Sequence, residues 1–173
     1  MKQCDLTKGL VFFLTIIITL CCGLIPSSWA EDDAVCTNKK LNGQYSFSQS
    51  GLISVPSLGY SKPVPVGSVG SFIADGKGHI ISGNEILQLG EYTINAVILE
   101  GTYDLEENCT GTASIDVSAE VGPSPLRMEI AITITNDGKE VHLLTTSIIN
   151  LTNPSNVMQP FAMTGFGTRG TDD

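Results

Sequence analysis

The chain has 173 residues, and its 9 basic and 18 acidic side chains give a formal net charge of −9. This balance argues against binding to nucleic acid, because such proteins need a basic face to displace counterions. Charged residues make up only 16% of the chain and hydrophobic residues 42%, which argues against wholesale disorder. A chain of this length is one domain, or one domain preceded by an export signal.

Residues 1–30 have the features of a secretory signal peptide. Lys2 and Lys8 supply a positive start, the apolar run 10–22 follows, and small residues precede a cleavage point after Ala30. An uncleaved membrane anchor is the alternative, but this run is shorter than the ~20 residues that a spanning helix needs. We therefore expect an exported protein, periplasmic or extracellular, that is not stably inserted in the membrane after cleavage.

Cleavage leaves two of the five cysteines, Cys36 and Cys109. An even pair of cysteines in an exported chain favours a disulfide. This bond would join the polar N-terminal tail, residues 31–40, to a hairpin far along the chain. The alternative is a metal site with two thiolates, but the sequence has no Cys-x-x-Cys and no histidine near either cysteine. We therefore expect a disulfide, with no metal and no other cofactor.

After Leu41 the hydrophobic residues alternate with polar ones, which is the pattern of strands with one buried face. The clearest example is 128–135, and we find no stretch of ten residues with a helical pattern. Asp-Gly pairs within 75–78 and 136–139 each separate two alternating runs, as in β-hairpins. The pattern predicts eight strands, over residues 44–51, 65–74, 79–87, 91–105, 110–118, 126–135, 140–148 and 159–167.

An antiparallel sheet without covering helices must protect its edges, and closure into a barrel removes them. We therefore predict an all-β fold for residues 41–170, an antiparallel up-and-down eight-stranded β-barrel. Its connections alternate between the two ends, so that the tight turns 75–78, 106–109 and 136–139 fall at one end. The other end is the predicted mouth. Its long connections are 52–64, 119–125 and 149–158, and a short one lies near Leu89.

This arrangement requires 91–105 to be a single strand. Ile94 and Ile98 occupy even positions, whereas the later apolar residues of the segment occupy odd positions, and we interpret Gly101 as a bulge. If Gly101 instead marked a turn, every later connection would lie at the other end of the barrel.

Glu100 points into the barrel if the phase of Ile94 and Ile98 continues, and into solvent if the bulge has already turned the chain. An inward carboxylate would need a partner or a raised pKa, and we favour the outward orientation.

Four short motifs follow one another in order along the chain. They resemble exported bacterial proteins of the allene oxide cyclase barrel-like group, and the similarity spans most of residues 41–170. The motifs are 41–47 (LNGQYSF) with Gly51, 70–78 (GSFIADGKG) with Gly83, 101–103 (GTY) leading into 108–112 (NCTGT), and 165–167 (GFG). The resemblance implies an eight-stranded barrel distantly akin to lipocalins and dirigent proteins. Some such barrels catalyse cyclisations or stereocontrolled couplings and others have no known activity, and no family catalytic residue matches a position here.

Two other features of the sequence have simple structural explanations. Residues 165–170 fit the Gly-x-Gly-x-x-Gly pattern of dinucleotide-binding proteins, but that pattern needs a helix to follow it. His79 and His142 are the two histidines of the chain, and no nucleophile-elbow sequence accompanies them. We interpret both histidines as surface or half-buried strand residues.

The inward phase of the strands defines the candidate lumen. The candidate ligand contacts on it are Tyr45, Phe47, Phe72, Ile94, Met128, Ile130, Phe161 and Met163; Ile98, Ile115, Ile132 and Leu143 continue the same face. Of these, Tyr45, Phe47, Met128 and Phe161 are the chosen ligand contacts, and the Tyr45 hydroxyl could orient a polar group of a ligand. Side chains can fill an eight-stranded barrel, or it can hold one small ligand.

The leading hypothesis is an exported barrel that binds a small apolar ligand in its lumen. One alternative is a cyclase or isomerase that uses the cavity as a mould, and another is a structural or host-facing secreted protein with a filled core. The sequence assigns neither catalytic residues nor an oligomeric state.

Overall fold

The computed structural model describes residues 35–120, 125–153, 157–158 and 160–170. The predicted signal peptide, residues 1–30, lies outside these residues. Residues 57, 157, 158, 160 and 161 are described by their backbone alone, and the predicted lumen residue Phe161 is one of them.

The described chain is all-β, with short 3-10 turns as its helical elements. The strands are β1 (Asn42–Val55), β2 (Tyr60–Asp75), β3 (His79–Leu89), β4 (Tyr92–Leu105), β5 (Thr110–Ala119), β6 (Leu126–Thr135), β7 (Glu140–Asn150), β8 (Val157–Met158) and β9 (Pro160–Arg169). The 3-10 turns are Asn38–Lys40, Pro56–Leu58 and Asn136–Gly138. In the described parts of the chain, no helix has the length and apolar character needed to cross a membrane.

The strands close into an antiparallel up-and-down barrel. Each strand from β1 to β7 pairs with the next, and β9 pairs with both β7 and β1. The two-residue strand β8 pairs with β7 at Ile148 and Ile149, beyond the part of β7 that pairs with β9. Strands β8 and β9 therefore occupy the same place in the order of strands around the barrel, which has eight such places. The predicted eight-stranded barrel is confirmed.

Strand β4 is continuous, as predicted, but its irregularity lies before Gly101. The register with β5 shifts between Ile98 and Glu100, so that Leu99 and Glu100 are both exposed. This shift moves the buried face from even positions to odd ones, and Tyr103 is buried. Glu100 therefore faces solvent, and the inward alternative for this residue is wrong.

The three tight turns lie at one end of the barrel, called here the closed end. The turn between β2 and β3 shows how the sequence forms them, because Gly76 and Gly78 have positive φ values of 71° and 105°. Asp75 Oδ1 accepts hydrogen bonds from the backbone N–H groups of His79, at 3.0 Å, and Lys77, at 2.7 Å. These bonds to the carboxylate, with that from His79 the largest effect, lower the pKa of Asp75 to about 2.

The opposite end is the mouth, and its first connection is shorter than predicted. Residues 52–64 were expected to form a long loop, but β1 continues to Val55 and β2 begins at Tyr60. The prolines of this segment had indicated a loop. β2 pairs with β1 alone before Val66, so that one edge of this segment is free and tolerates Pro63 and Pro65.

Residues 36–41 pack across the closed end. Cys36 forms the predicted disulfide with Cys109, which lies in the turn between β4 and β5. Leu41 is buried, and its carbonyl accepts a hydrogen bond of 2.6 Å from the Tyr103 hydroxyl. The Asn38 side chain accepts a second bond, of 2.8 Å, from the backbone N–H of Leu105. The described part of the predicted tail thus contributes to the hydrophobic core.

Candidate functional site in the barrel lumen

The inward faces of the strands form the core of the protein. Every described member of the predicted inward set is buried, namely Tyr45, Phe47, Phe72, Ile94, Ile98, Ile115, Met128, Ile130, Ile132, Leu143 and Met163. Alternation in the sequence identified these residues because each strand has one face in the lumen.

The lumen contains two small cavities. The lower cavity, toward the closed end, has a volume of about 30 Å³. The upper cavity, toward the mouth, has a volume of about 80 Å³. Glu85, Val117 and Met128 line both cavities and therefore lie between them. The remaining walls are almost entirely apolar, and Gln49 is the one other polar side chain among the described lining residues.

The candidate ligand contacts divide between these cavities. Phe47, Phe72 and Ile130 line the lower cavity, Ile94 and Met163 line the upper one, and Met128 lines both. The structure thus places the aromatic candidates toward the closed end and the flexible methionines at or above the middle of the lumen.

Tyr45 lies in the lining of neither cavity. Its side chain is completely buried, and its ring stacks on Phe72 with 5.2 Å between the ring centroids. Its hydroxyl donates a hydrogen bond to the carbonyl of Gly138, in the turn between β6 and β7. Burial raises the pKa of this hydroxyl. Because β1 begins at the closed end, Tyr45 lies far from the mouth. Its hydroxyl is already hydrogen-bonded to the main chain at Gly138.

Glu85 is the one ionisable side chain among the described lining residues, and the sequence pattern did not predict it. It lies on the inward face of β3, opposite Gly70, with 5% of its surface exposed. The register between β2 and β3 skips Ile81, which moves the inward phase of β3 from even to odd positions. The signal that could have revealed it is the apolar pair Leu87 and Leu89, which shares the odd phase of Glu85.

The Glu85 carboxyl is in an unusual environment for an acidic group. Its Oε1 atom and the Ser68 hydroxyl are both buried without a hydrogen-bond partner among the described residues. Burial is the main effect on the carboxyl and raises the pKa of Glu85, whereas the neighbouring Ser68 hydroxyl acts in the opposite direction. A carboxyl that burial keeps neutral can donate as well as accept a hydrogen bond.

Further polar side chains continue from this pair around the inner wall. Ser68 pairs across the strands with Gln49 on β1, and Thr145 on β7 donates a 3.1 Å hydrogen bond to Gln49 Oε1. Strand β9 lies between β1 and β7 and contributes Gly165, where a Cβ atom would come within 2.4 Å of Gln49 Cγ. The missing side chain at Gly165 therefore provides the space that Gln49 occupies. We call Gln49, Ser68, Glu85 and Thr145 the polar belt.

The two histidines lie outside the lumen, as predicted. His79 is exposed, with Nδ1 2.9 Å from Asp75 Oδ2. His142 is exposed on β7, and its ring centroid lies 5.2 Å from that of Phe166. Neither imidazole faces the buried carboxyl.

No protein-family model and no curated protein matches the chain. The fold and the lumen define its class as a closed eight-stranded β-barrel whose apolar interior contains a belt of polar side chains and one buried carboxyl.

Proposed function

We propose that the protein is an exported β-barrel that binds one small, mainly apolar molecule in the upper cavity of its lumen. The observation that carries this proposal is the chemistry of the cavity wall. Apolar side chains surround a space of about 80 Å³, and Glu85 is its one ionisable group among the described lining residues. An apolar pocket with very few polar groups is typical of small-molecule sites.

The volume of the cavity limits the size of the ligand. An apolar cavity of ~150 Å³ accommodates benzene, and the upper cavity has about half that volume. Scaled from the six carbon atoms of benzene, this space holds about three non-hydrogen atoms, and a slightly larger molecule requires the wall to adapt. Met128 and Met163 lie in the wall, and their flexible side chains can adapt to ligands of different shape.

Export and family membership belong to the same proposal. The Cys36–Cys109 disulfide supports an oxidising compartment, periplasmic or extracellular. Membership in the allene oxide cyclase barrel-like group rests on the four sequence motifs, and the closed barrel is compatible with it. Two of the motif glycines have positions that suit this barrel. The Phe47 ring lies over Gly70, and the end of the Ile98 side chain lies over Gly83.

A cyclase or isomerase is the second candidate function. The observation that favours it is the same Glu85 carboxyl, because a buried neutral acid can transfer a proton to a substrate held beside it. Binding alone requires the molecule to leave unchanged, whereas catalysis requires its conversion. The two candidates are therefore separated by the fate of the bound molecule.

Mass spectrometry of small molecules extracted from protein purified from its native source tests both candidates. A bound molecule of the stated size is expected, and its conversion on incubation with the protein would favour the enzyme. The matched variants are Ala96→Leu, which fills the upper cavity, and Ala113→Leu, which fills the lower one. The first variant should be isolated without the molecule and the second with it. Native protein that contains no such molecule would support the filled structural barrel instead.

A further inference from the structure

Two buried polar atoms on the inner wall have no hydrogen-bond partner among the described residues, Glu85 Oε1 and Ser68 Oγ. Their side chains are diagonal neighbours, because Ser68 pairs with Leu87, two residues after Glu85 on the same face of β3. Buried polar side chains in folded proteins are nearly always hydrogen-bonded. Glu85 lines both cavities, whereas Ser68 lines neither, and the unpartnered carboxyl therefore indicates a polar partner that enters from the cavity.

The surroundings of Glu85 disfavour a charged partner. The described cavity walls come from β1 to β7 and β9, from Leu41 and from Leu58, and they contain no ionisable side chain other than Glu85. Burial raises the pKa of the carboxyl, so that the wall favours the neutral acid. A cationic ligand would require an ionised Glu85 and would bring two charges out of water. A neutral polar group avoids both costs.

A neutral oxygen atom matches the hydrogen-bonding capacity of the pair. The protonated Glu85 carboxyl has one O–H donor, and the Ser68 hydroxyl both donates and accepts. An alcohol or ketone oxygen in the cavity can accept from the Glu85 carboxyl, and an alcohol can also donate to it in return. The hydrocarbon part of such a molecule would then contact the apolar wall that Ile94, Met128 and Met163 contribute.

We propose that Glu85 is the polar anchor of the upper cavity, with Ser68 as the polar neighbour of its carboxyl, and that the ligand of this cavity is a small neutral alcohol or ketone. This inference rests on the proposed function, because it names the class of molecule that the same site binds. Water is the competing occupant, since a cavity of ~10–15 Å³ already holds one molecule of water. The experiment must therefore separate an anchored ligand from an unanchored one and from water.

The test is a titration of the oxidised mature protein with four probes of nearly equal shape, followed by NMR of ¹³C-labelled methionine methyl groups. The probes are 2-butanol, butanone, 2-methylbutane and protonated sec-butylamine. The Met128 and Met163 methyl signals should shift with 2-butanol and butanone. Glu85→Leu should weaken the binding of both by about fivefold, the usual effect of one lost hydrogen bond, without weakening that of 2-methylbutane.

Two further variants complete the design. Ser68→Ala should weaken 2-butanol binding by a smaller factor, and it keeps the test available if Glu85→Leu does not fold. Glu100→Leu is the matched control, because it removes an exposed carboxylate on the neighbouring strand and should leave all affinities unchanged.

Each contrary outcome has a definite meaning. If 2-methylbutane binds but Glu85→Leu and Ser68→Ala bind 2-butanol as the wild type does, the anchor is overturned and the proposed function stands. If protonated sec-butylamine binds more tightly than 2-butanol, the neutral class of ligand is overturned. If none of the probes shifts the methionine signals, water occupies the cavity, and both the anchor and the proposed function are overturned.

Discussion

The Tyr45 hydroxyl donates a hydrogen bond to the carbonyl of Gly138, 93 residues further along the chain. This bond joins the start of β1 to the turn between β6 and β7, so that at the closed end it connects β1 to strands beyond its neighbour β9. Tyr45 is therefore a residue that stabilises the closed end, whereas the upper cavity, the proposed ligand site, lies nearer the mouth.

Replacement of Tyr45 by Phe tests this structural role. The substitution keeps the stacking on Phe72 and removes the hydroxyl, and the Gly138 carbonyl loses a buried donor. We expect a loss of about 0.5–1.5 kcal/mol in the free energy of unfolding, measured by urea denaturation. Tyr92→Phe, at an exposed position, should be neutral. Weaker ligand binding by Tyr45→Phe at unchanged stability would contradict the assignment.

The disulfide should contribute much of the stability of the protein. Cys36 and Cys109 are separated by 73 positions, and a cross-link that closes a loop of this size contributes about 4 kcal/mol in the chain-entropy model. The double variant Cys36→Ser, Cys109→Ser should unfold at a clearly lower urea concentration than the oxidised protein. Wild-type protein kept under reducing conditions should match the double variant. Equal midpoints for oxidised and reduced protein would show that the bond constrains little.

The pH dependence of stability should reveal the buried carboxyl. Because burial raises the pKa of Glu85 above its ordinary value of 4.5, the folded protein binds a proton more tightly than the unfolded chain. The stability that Glu85 contributes is therefore complete below pH ~4.5 and is lost as the pH rises through the folded-state pKa. Glu85→Gln does not titrate, and its stability should decrease less than that of the wild type over this range. Parallel pH profiles would show that Glu85 is ionised or well solvated.

Two glycines of β2 form a matched pair for a packing test. A Cβ atom at Gly70 would lie 2.2 Å from the Asn84 carbonyl oxygen and 2.8 Å from the Phe47 ring, whereas one at Gly67 would meet nothing closer than 3.9 Å. Gly70→Ala should therefore destabilise the barrel by about 1–3 kcal/mol. Gly67→Ala should be neutral or slightly stabilising, because alanine reduces the freedom of the unfolded chain. Thermal unfolding of both variants would show the difference, and a similar loss at both positions would contradict this packing.

The sequence predicted the barrel well because its main signals are local. Alternation identified the strands and inward residues such as Ile130 and Met163, and the two cysteines left after residue 30 identified the disulfide. The bulge that exposes Leu99 was placed near Gly101, within two residues of its actual position. These features depend on a two-residue period, on turn chemistry or on a simple count of cysteines.

The site was harder to predict because its residues depend on register. A single skipped residue, Ile81, reverses the inward phase of β3, and the sequence does not mark the skipped position, although Leu87 and Leu89 further along follow the new phase. Glu85 was therefore missed, although Glu100 was considered for the same role one strand away. The sequence left the Tyr45 hydroxyl free to orient a ligand, because its partner, Gly138, becomes a neighbour only when the barrel closes.

The pairing of β9 with β1 has a practical consequence for handling the protein. The two strands run in opposite directions, so that β1 begins at Asn42 and β9 ends at Arg169 on the same side of the barrel, opposite the mouth. The backbone N–H of Gly170 donates a hydrogen bond of 2.9 Å to the carbonyl of Gln44, which holds the departing strand beside the entering one. Immobilisation through an added segment at either end should therefore leave the mouth facing the solution. A short peptide that joins the two ends should permit circular permutants opened at the β3–β4 turn.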